Sequence, residues 1–485
     1  MRYFILFIVF TGFRISGIAQ QPLKPYGAIP TPRQLNWQET EVYGLIHFTP
    51  TTFENKEWGY GDADPALFNP LQFDARQIVN AAKSGGLKGL ILVAKHHDGF
   101  CLWPTQTTPY NISKSPWRNG KGDMVKEVEQ ACRAAGLKFG IYCSPWDRNN
   151  PNYGKPVYLE IYRAQLKELY THYGPLFMSW HDGANGGDGY YGGSRETRKI
   201  DNTTYYDWTN TWNNITRVLQ PTANIFSDIG LDVRWVGNEK GFAAETHWAS
   251  FSPEPESGSV AVPGNVNTKT SSEGTRNGKY WIPAECDVPL RTGWFYHPEQ
   301  DGKEKSVAHL LDLYLKSVGR GACLDLGLAP TPAGILHSND VTILKEFGQR
   351  ITENFKRNLI IGATLKASQV RSKSEGVHNL TDGDRYSYWS TPDDVHTASI
   401  EIRFKEAKEF DLIQLRENIK LGQRVDKTII ETMDEGMWKV LSSVTTIGAN
   451  RLIHLDKPVK SKALRIRFEA PVALCISEIG IYKMQ

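Results

Sequence analysis

The residues able to do chemistry in this chain stand at the ends of short apolar runs. Trp180-His181-Asp182-Gly183-Ala184-Asn185 follows Gly174–Ser179, which reads as a buried strand by its length and its Gly-Pro boundary. An Asp that ends a strand and precedes Gly sits where the chain leaves the sheet, its carboxylate facing whatever opens there. The same pair also serves as an ordinary turn or a helix N-cap. Lys95-His96-His97-Asp98-Gly99-Phe100 closes the run Gly89–Ala94 in the same manner. His47 ends Gly44-Leu45-Ile46, Glu57-Trp58 follows in a Gly-rich loop, and Tyr142 closes Phe139–Cys143. Successive strand side chains point to opposite faces, so His96 and His97 converge on an ion only if the strand breaks there, and no metal is expected. A neutral imidazole offers one donor and one acceptor, which suits a sugar hydroxyl. His, Tyr, Trp, Glu and Asp on one rim favour carbohydrate chemistry. There is no GxGxxG after a first strand and no phosphate-cradling lysine loop, so nucleotide chemistry has no support and no cofactor is expected.

Such a rim needs a parallel framework. Helical spacing over Ala75–Ser84, Met124–Ala135 and Val157–Tyr173 ends each time at Gly, followed by the strands Gly89–Ala94, Phe139–Cys143 and the run to Asp182. Tyr205–Leu219 (helix), Ala223–Asp228 (strand), Val307–Val318 (helix) and Cys323–Leu328 (strand) continue the alternation. This is the α/β pattern, and a sheet wound so often closes best as an irregular (β/α)8 barrel, placed at residues 20–350, with its chemistry at the C-terminal rim. Beyond it, short alternating runs (Ala398–Phe404, Phe410–Leu415, Trp438–Leu441, Ala463–Phe468, Ile476–Ile481) predict a β-sandwich over residues 351–485.

A length of 485 residues calls for more than one core. A formal charge of +3 without a basic stripe argues against a nucleic-acid partner. Many of the 14 Trp lie beside Gly and polar residues, as rings that stack on sugar C–H faces do, although ordinary core Trp accounts for them too. Met1-Arg2-Tyr3, the apolar Phe4–Phe10 and the small-x-small end Gly17-Ile18-Ala19 have the layout of a secretory signal peptide over residues 1–19, interrupted by Arg14. The expectation is an exported protein, periplasmic or extracellular, with no membrane span. The six Cys match neither a metal site nor a disulfide framework.

His96-His97-Asp98-Gly99-Phe100 with Leu102-Trp103-Pro104, then Trp180–Asn185, resembles the family 29 glycoside hydrolases, the α-L-fucosidases, over nearly all of residues 35–350. The resemblance implies a retaining hydrolase acting on a fucosylated oligosaccharide or glycoprotein glycan. It matches Asp182 to the family nucleophile, and His47, Glu57, Trp58, His96, His97 and Tyr142 to positions that hold fucose, with Trp180 beside them. His181 departs from it, since Phe is usual before the Asp. Asn379–Asp384 with Ser387–Ser390 resembles the opening of discoidin-like and family 32 carbohydrate-binding modules, whose Asp-Gly-Asp loop is a tight acidic turn or lies near calcium.

Retention requires a second carboxyl about 5 to 5.5 Å from the nucleophile, protonated first and ionised later. Glu239, Glu245 and Glu285 are the candidates. The run Arg234-Trp235-Val236-Gly237-Asn238-Glu239 resembles the subfamily acting on α-1,3 and α-1,4 fucosides of branched Lewis-type glycans, which makes Glu239 the acid/base and Glu285 the fallback, otherwise a substrate-binding group. Trp294 resembles an aromatic that closes over the sugar, and Arg234 is a substrate partner or a strand-end charge. Competing readings are a broad-specificity fucosidase, a fucose lectin that does not cut, and a metal hydrolase built on His96 and His97.

Overall fold

The computed structural model describes residues 22–485; the signal-peptide expectation lies outside them. Eight parallel strands close a barrel in chain order: β1 Val42–Ile46, β2 Gly89–Lys95, β3 Lys138–Cys143, β4 Met178–Trp180, β5 Asn224–Ser227, β6 Val233–Trp235, β7 Ala284–Pro289 and β8 Cys323–Leu328. β8 pairs back with β1, Val42 opposite Leu324. The helices are α1 Pro32–Gln38, α2 Ala75–Ser84, α3 Met124–Ala135, α4 Pro156–His172, α5 Val307–Lys316 and α6 Ser338–Phe355. Their starts follow from local chemistry: the Asp74 and Asp123 side chains accept the first free N–H groups of α2 and α3, and Gly136, at φ +75°, ends α3 in the left-handed conformation. α6 runs through residue 350 to Phe355, and its apolar face packs Leu344 and Phe347 onto the barrel core.

The barrel is irregular on one side. β5 and β6 are joined without a helix, and the excursion from Val236 to Pro283 holds only a helical turn, Thr268–Ser271, and a two-stranded ribbon, Ser250–Phe251 with Tyr280–Trp281. The expected helix Tyr205–Leu219 begins at Trp208 and contains a π turn at Trp212–Thr216. The strand before Asp182 is shorter than the apolar run suggests, because Pro175 has no N–H and Leu176 gives its own to Gln220.

The second domain is antiparallel, with β9 Thr364–Ala367, β10 Trp389–Ser390, β11 Thr397–Glu417, β12 Lys427–Asp434, β13 Met437–Val444, β14 Arg451–Glu469 and β15 Cys475–Tyr482. One pair of expected strands is in fact a single long one, since β11 takes up both Ala398–Phe404 and Phe410–Leu415, and β14 begins at Arg451, well before the expected Ala463. Register shifts between Arg403 and Lys408 and at Phe410–Leu412 bend them, so that one half of β11 pairs with β9 and the other with β15. Ile400, Ile413, Ile466, Phe468, Ile476 and Ile479 share the buried apolar core of this domain. The Asp382-Gly383-Asp384 loop is an Asx turn, Asp384 N–H donating to Asp382 Oδ1 at 2.9 Å.

This domain docks at two places. Beneath β1, Glu41 receives Arg385, Arg416 (3.1 Å) and Lys88 (3.6 Å), and Tyr386 donates to Glu39. On the Val236–Pro283 excursion, Arg451 donates to the Glu245 carbonyl (2.7 Å) and Gln423 bridges His247 O and Ala249 N, each at 2.9 Å. All six cysteines are buried and unpaired. Among the described residues no helix is long and apolar enough to cross a membrane.

Candidate active site

Period-two alternation along β4 places Asp182. Trp180 points into the barrel, stacked on Phe226 (centroids 4.1 Å apart) and beside Tyr142 (4.9 Å). His181 points outward and is buried between Tyr162 Oη (3.0 Å) and Ser179 Oγ (3.0 Å), so its difference from the usual Phe concerns the helix layer. Asp182 then returns to the mouth. Its Oδ1 accepts the Ala184 N–H at 2.7 Å and its Oδ2 accepts the Tyr142 hydroxyl at 2.9 Å, with His97 Nε2 3.7 Å away.

The histidines surround it. His97 Nδ1 bonds Ser144 Oγ at 2.7 Å, and its ring lies 5.2 Å from both Trp58 and Trp146. His47 and His96 pack edge to face, 5.4 Å between centroids. Burial lowers all three: His47 to about 3, His97 to about 4 despite Asp182 nearby, and His96 well below its ordinary value. They are therefore neutral. The Nδ1 atoms of His47 and His96 are buried with no hydrogen-bond partner among the described residues.

Glu239 stands across the mouth in an exposed loop position, with its carboxyl against Trp294. Desolvation raises its pKa, the Trp294 hydrogen bond opposes this, and the charges of Asp182 and Glu57 raise it further. Glu57 holds the loop that carries Trp294: it accepts the N–H groups of Trp294 and Phe295 (3.4 Å) and the His297 Nε2 proton (2.8 Å). Trp294 lies over Gly327, where a Cβ would come within 2.7 Å of its ring, and beside His47 (5.1 Å). Trp58 is half exposed, a free ring face at the rim.

Four expected site residues do not reach the mouth. Glu285 is fully buried low in the barrel, where it accepts the Trp180 indole N–H (2.8 Å) and the Tyr43 hydroxyl; it is a core carboxyl, pushed up to about 7 by burial. Arg234 points outward and is spent on backbone carbonyls, Ser271 O (2.9 Å), Trp248 O (3.0 Å) and Ile282 O. Trp180 is the floor beneath the site, 7% exposed and tied to Glu285. Glu245 belongs to the domain interface, paired with Arg320 and Arg451.

Sequence reasoning passed over Asp228. It follows β5 as Asp182 follows β4, and that repeated position was the available signal. Its Oδ2 accepts the Gly264 N–H (2.7 Å) and its Oδ1 the Ile229 N–H (3.1 Å). A Cβ on Gly183 would fall 2.5 Å from Oδ2, and burial together with the nearby Asp182 charge raises Asp228 to about 7. Asp98, third in the His-His-Asp run, ties the loop after β1 through Thr49 (2.8 Å) and Thr51 (3.1 Å).

With the geometry fixed, comparison with known proteins decides the family. The sequence model of the family described as Alpha-L-fucosidase matches residues 26–356, and that of the F5/8 type C domain matches residues 364–477. The chain belongs to the α-L-fucosidase family. Alpha-L-fucosidase 1 of Arabidopsis thaliana is 37% identical over 491 residues, covering 99% of this chain and 93% of the relative. Among solved structures, a putative α-L-fucosidase from Bacteroides thetaiotaomicron superposes with a TM-score of 0.86 at 36% identity, over 96% of this chain and 99% of that one. A Ruminococcus gnavus GH29 fucosidase solved with fucose gives 0.84 at 29% identity, over 97% and 98%. As an α-L-fucosidase this chain is a glycoside hydrolase, with its barrel and its second domain both accounted for.

Proposed function

We propose that this α-L-fucosidase is exported and releases α-1,3- and α-1,4-linked fucose from branched, Lewis-type glycans with retention of configuration. Asp182 is the nucleophile and Glu239 the acid/base. The observation that carries the reading is the inequality of the two carboxyls: Asp182 is bonded by two donors, whereas Glu239 is raised by burial and by the anions beside it. In the first step Asp182 attacks the anomeric carbon while Glu239 gives its proton to the departing glycosidic oxygen. In the second, Glu239 takes a proton from water, the water oxygen attacks the same carbon, and the Asp182 ester bond breaks to free fucose. Neutral His47, His96 and His97 hold hydroxyls without placing positive charge near the oxocarbenium-like transition state.

The linkage reading is supported by the Arg234–Glu239 run and by a cavity of about 770 Å³ lined by Trp58, Glu239 and Trp294, enough for a branched leaving group. The test is digestion of linkage-defined fucosylated oligosaccharides. Lewis a and Lewis x types are cleaved strongly, and aryl fucosides and α-1,2 linkages very weakly, because a site built to bond a second sugar arm loses affinity without it. Efficient turnover of an aryl fucoside overturns this specificity in favour of the broad one. Anomeric analysis of the released fucose by NMR checks retention. Export rests on the pattern in residues 1–19 and is checked by the N-terminus and compartment of the mature protein.

Asp228 supports a second assignment of the acid, since it too is raised and lies by Asp182. Both of its oxygens already hold backbone N–H groups, which favours a role in fixing the Gly264 loop.

A further inference from the structure

The cavity beside Glu239 extends away from Asp182, toward α5, and its charges do not balance. Besides Glu57, Trp58, Glu239 and Trp294 it is lined by Lys240, Lys305, His309, Asp312 and Lys316. Asp312 pairs with Lys316 at 2.7 Å, Glu57 is held by the N–H groups of Trp294 and Phe295 (3.4 Å) and by His297 Nε2 (2.8 Å), and the charges of Asp182 and Glu57 together with desolvation raise the Glu239 pKa. Lys305 donates to Pro289 O (2.6 Å) and Arg291 O (2.9 Å), so its ammonium is fixed at the wall by neutral partners. Lys240 is exposed, and its backbone is pinned by the Asn238 side chain, which accepts the Lys240 N–H at 3.0 Å and donates to Phe242 O at 3.2 Å. Among the described residues neither lysine has a carboxylate within 4.0 Å.

We propose that this cavity is a leaving-group subsite for an anionic saccharide, a sugar-acid carboxylate or a sulfate ester carried by the sugar arm next to the fucose, with Lys240 and Lys305 as its cationic partners. The proposal rests on Glu239 being the acid/base, since that residue places the leaving group in this cavity. An acidic arm adds attraction to the ammonium groups at little ordering cost, because the Lys305 head is held already.

The test compares one fucosylated trisaccharide in three forms: neutral, sialylated and sulfated on the non-fucose arm. At low salt the acidic forms are expected to exceed the neutral one in kcat/KM by about three- to ten-fold, the scale of partly solvent-facing ion pairs, and the gap should close by about 0.5 M salt. The two acidic forms separate carboxylate from sulfate as the natural group. Lys240→Gln should bring the acidic-to-neutral ratio toward one, and Lys240→Glu below one. Lys240→Arg should retain the preference, which keeps the test independent of any loss of fold. Equal or slower cleavage of both acidic forms by the wild type overturns the subsite while leaving the fucosidase reading intact. If none of the three is cleaved, the linkage reading fails, and titration of the fucose-free sialylated and sulfated disaccharides then decides the subsite alone: salt-sensitive binding weakened in Lys240→Gln supports it, and no binding overturns it.

Discussion

Two groups of buried carboxyls in this molecule meet opposite treatment. Under β1, Glu41 is enclosed by Arg416, Arg385 and Lys88, which outweigh its desolvation and hold it down at about 2. At the mouth and in the barrel interior, Asp228 and Glu285 have backbone and indole donors but no cation beside them, and each is raised to about 7. Glu239, at the exposed rim, is raised as well, by partial desolvation and by the charges of Asp182 and Glu57. The difference teaches that burial alone does not mark a functional acid. Around Glu41 three cations outweigh desolvation and make the carboxylate a fastener between domains; Asp228 and Glu285, without them, are raised, and only a position at the mouth puts such a proton within reach of a ligand.

That contrast can be broken most severely at Asp182. Asp182→Ala should reduce kcat by about 10⁴-fold or more on every substrate, with the folded state preserved in circular dichroism and denaturation. Next, Glu239→Ala should lower turnover of natural glycans by about 10²–10⁴-fold and of a substrate with an activated leaving group far less. In the wild type, kcat/KM should fall as pH rises through the elevated Glu239 pKa, since the donor is then ionised, and this limb should vanish in the variant. Asp228→Asn discriminates between the two raised acids: as a loop fastener it costs about ten-fold at most and leaves the alkaline limb in place, whereas loss comparable to Glu239→Ala would transfer the acid role to it.

On the other side of the comparison, Glu41→Gln should destabilise the protein by about 3 kcal/mol in urea denaturation at pH 7, because Arg385 loses its carboxylate partner and Arg416 keeps only Glu478, 3.3 Å away. Its lowered pKa gives a sign: the stabilisation is complete above about 4.5 and disappears as pH falls toward 2, so the variant should lose less on acidification than the wild type. Glu285 gives the reverse and the smallest effect. Its native form keeps a proton that the unfolded chain releases, so wild-type stability should decline as pH rises from about 4.5 to 7, and Glu285→Gln should flatten that slope.

The parts of the barrel legible in the sequence were those where burial on both faces left an uninterrupted apolar run. Gly89–Ala94 and Cys323–Leu328 announce β2 and β8 in this way, and the Asp, His and Tyr that terminate such runs reach the mouth. β6 and β7 were not legible as strands. β6 is three residues long, and β7 carries Glu285 and Asp287 into the interior, where Trp180 and Trp235 satisfy them; no apolar period survives two such acids. Glu285 resembled a site residue because sequence cannot tell which end of a strand an acid occupies. Arg234 misled for a related reason: one residue of register sends it outward to loop carbonyls. In the second domain, Lys405-Glu406-Ala407-Lys408 reads as a turn between two strands, whereas a bulge carries a single strand across it.

The excursion from Val236 to Pro283 begins with the loop of Glu239 and is gripped further on, at Glu245–Ala249, by Arg451 and Gln423 of the second domain. The loop of Glu239, the proposed proton donor, is thereby suspended from both halves of the molecule. An enzyme trimmed at Phe355 would keep Asp182 seated in the barrel wall yet lose one mooring of the Glu239 loop. Engineers who transplant this loop to alter linkage preference would need to move its distant anchor as well.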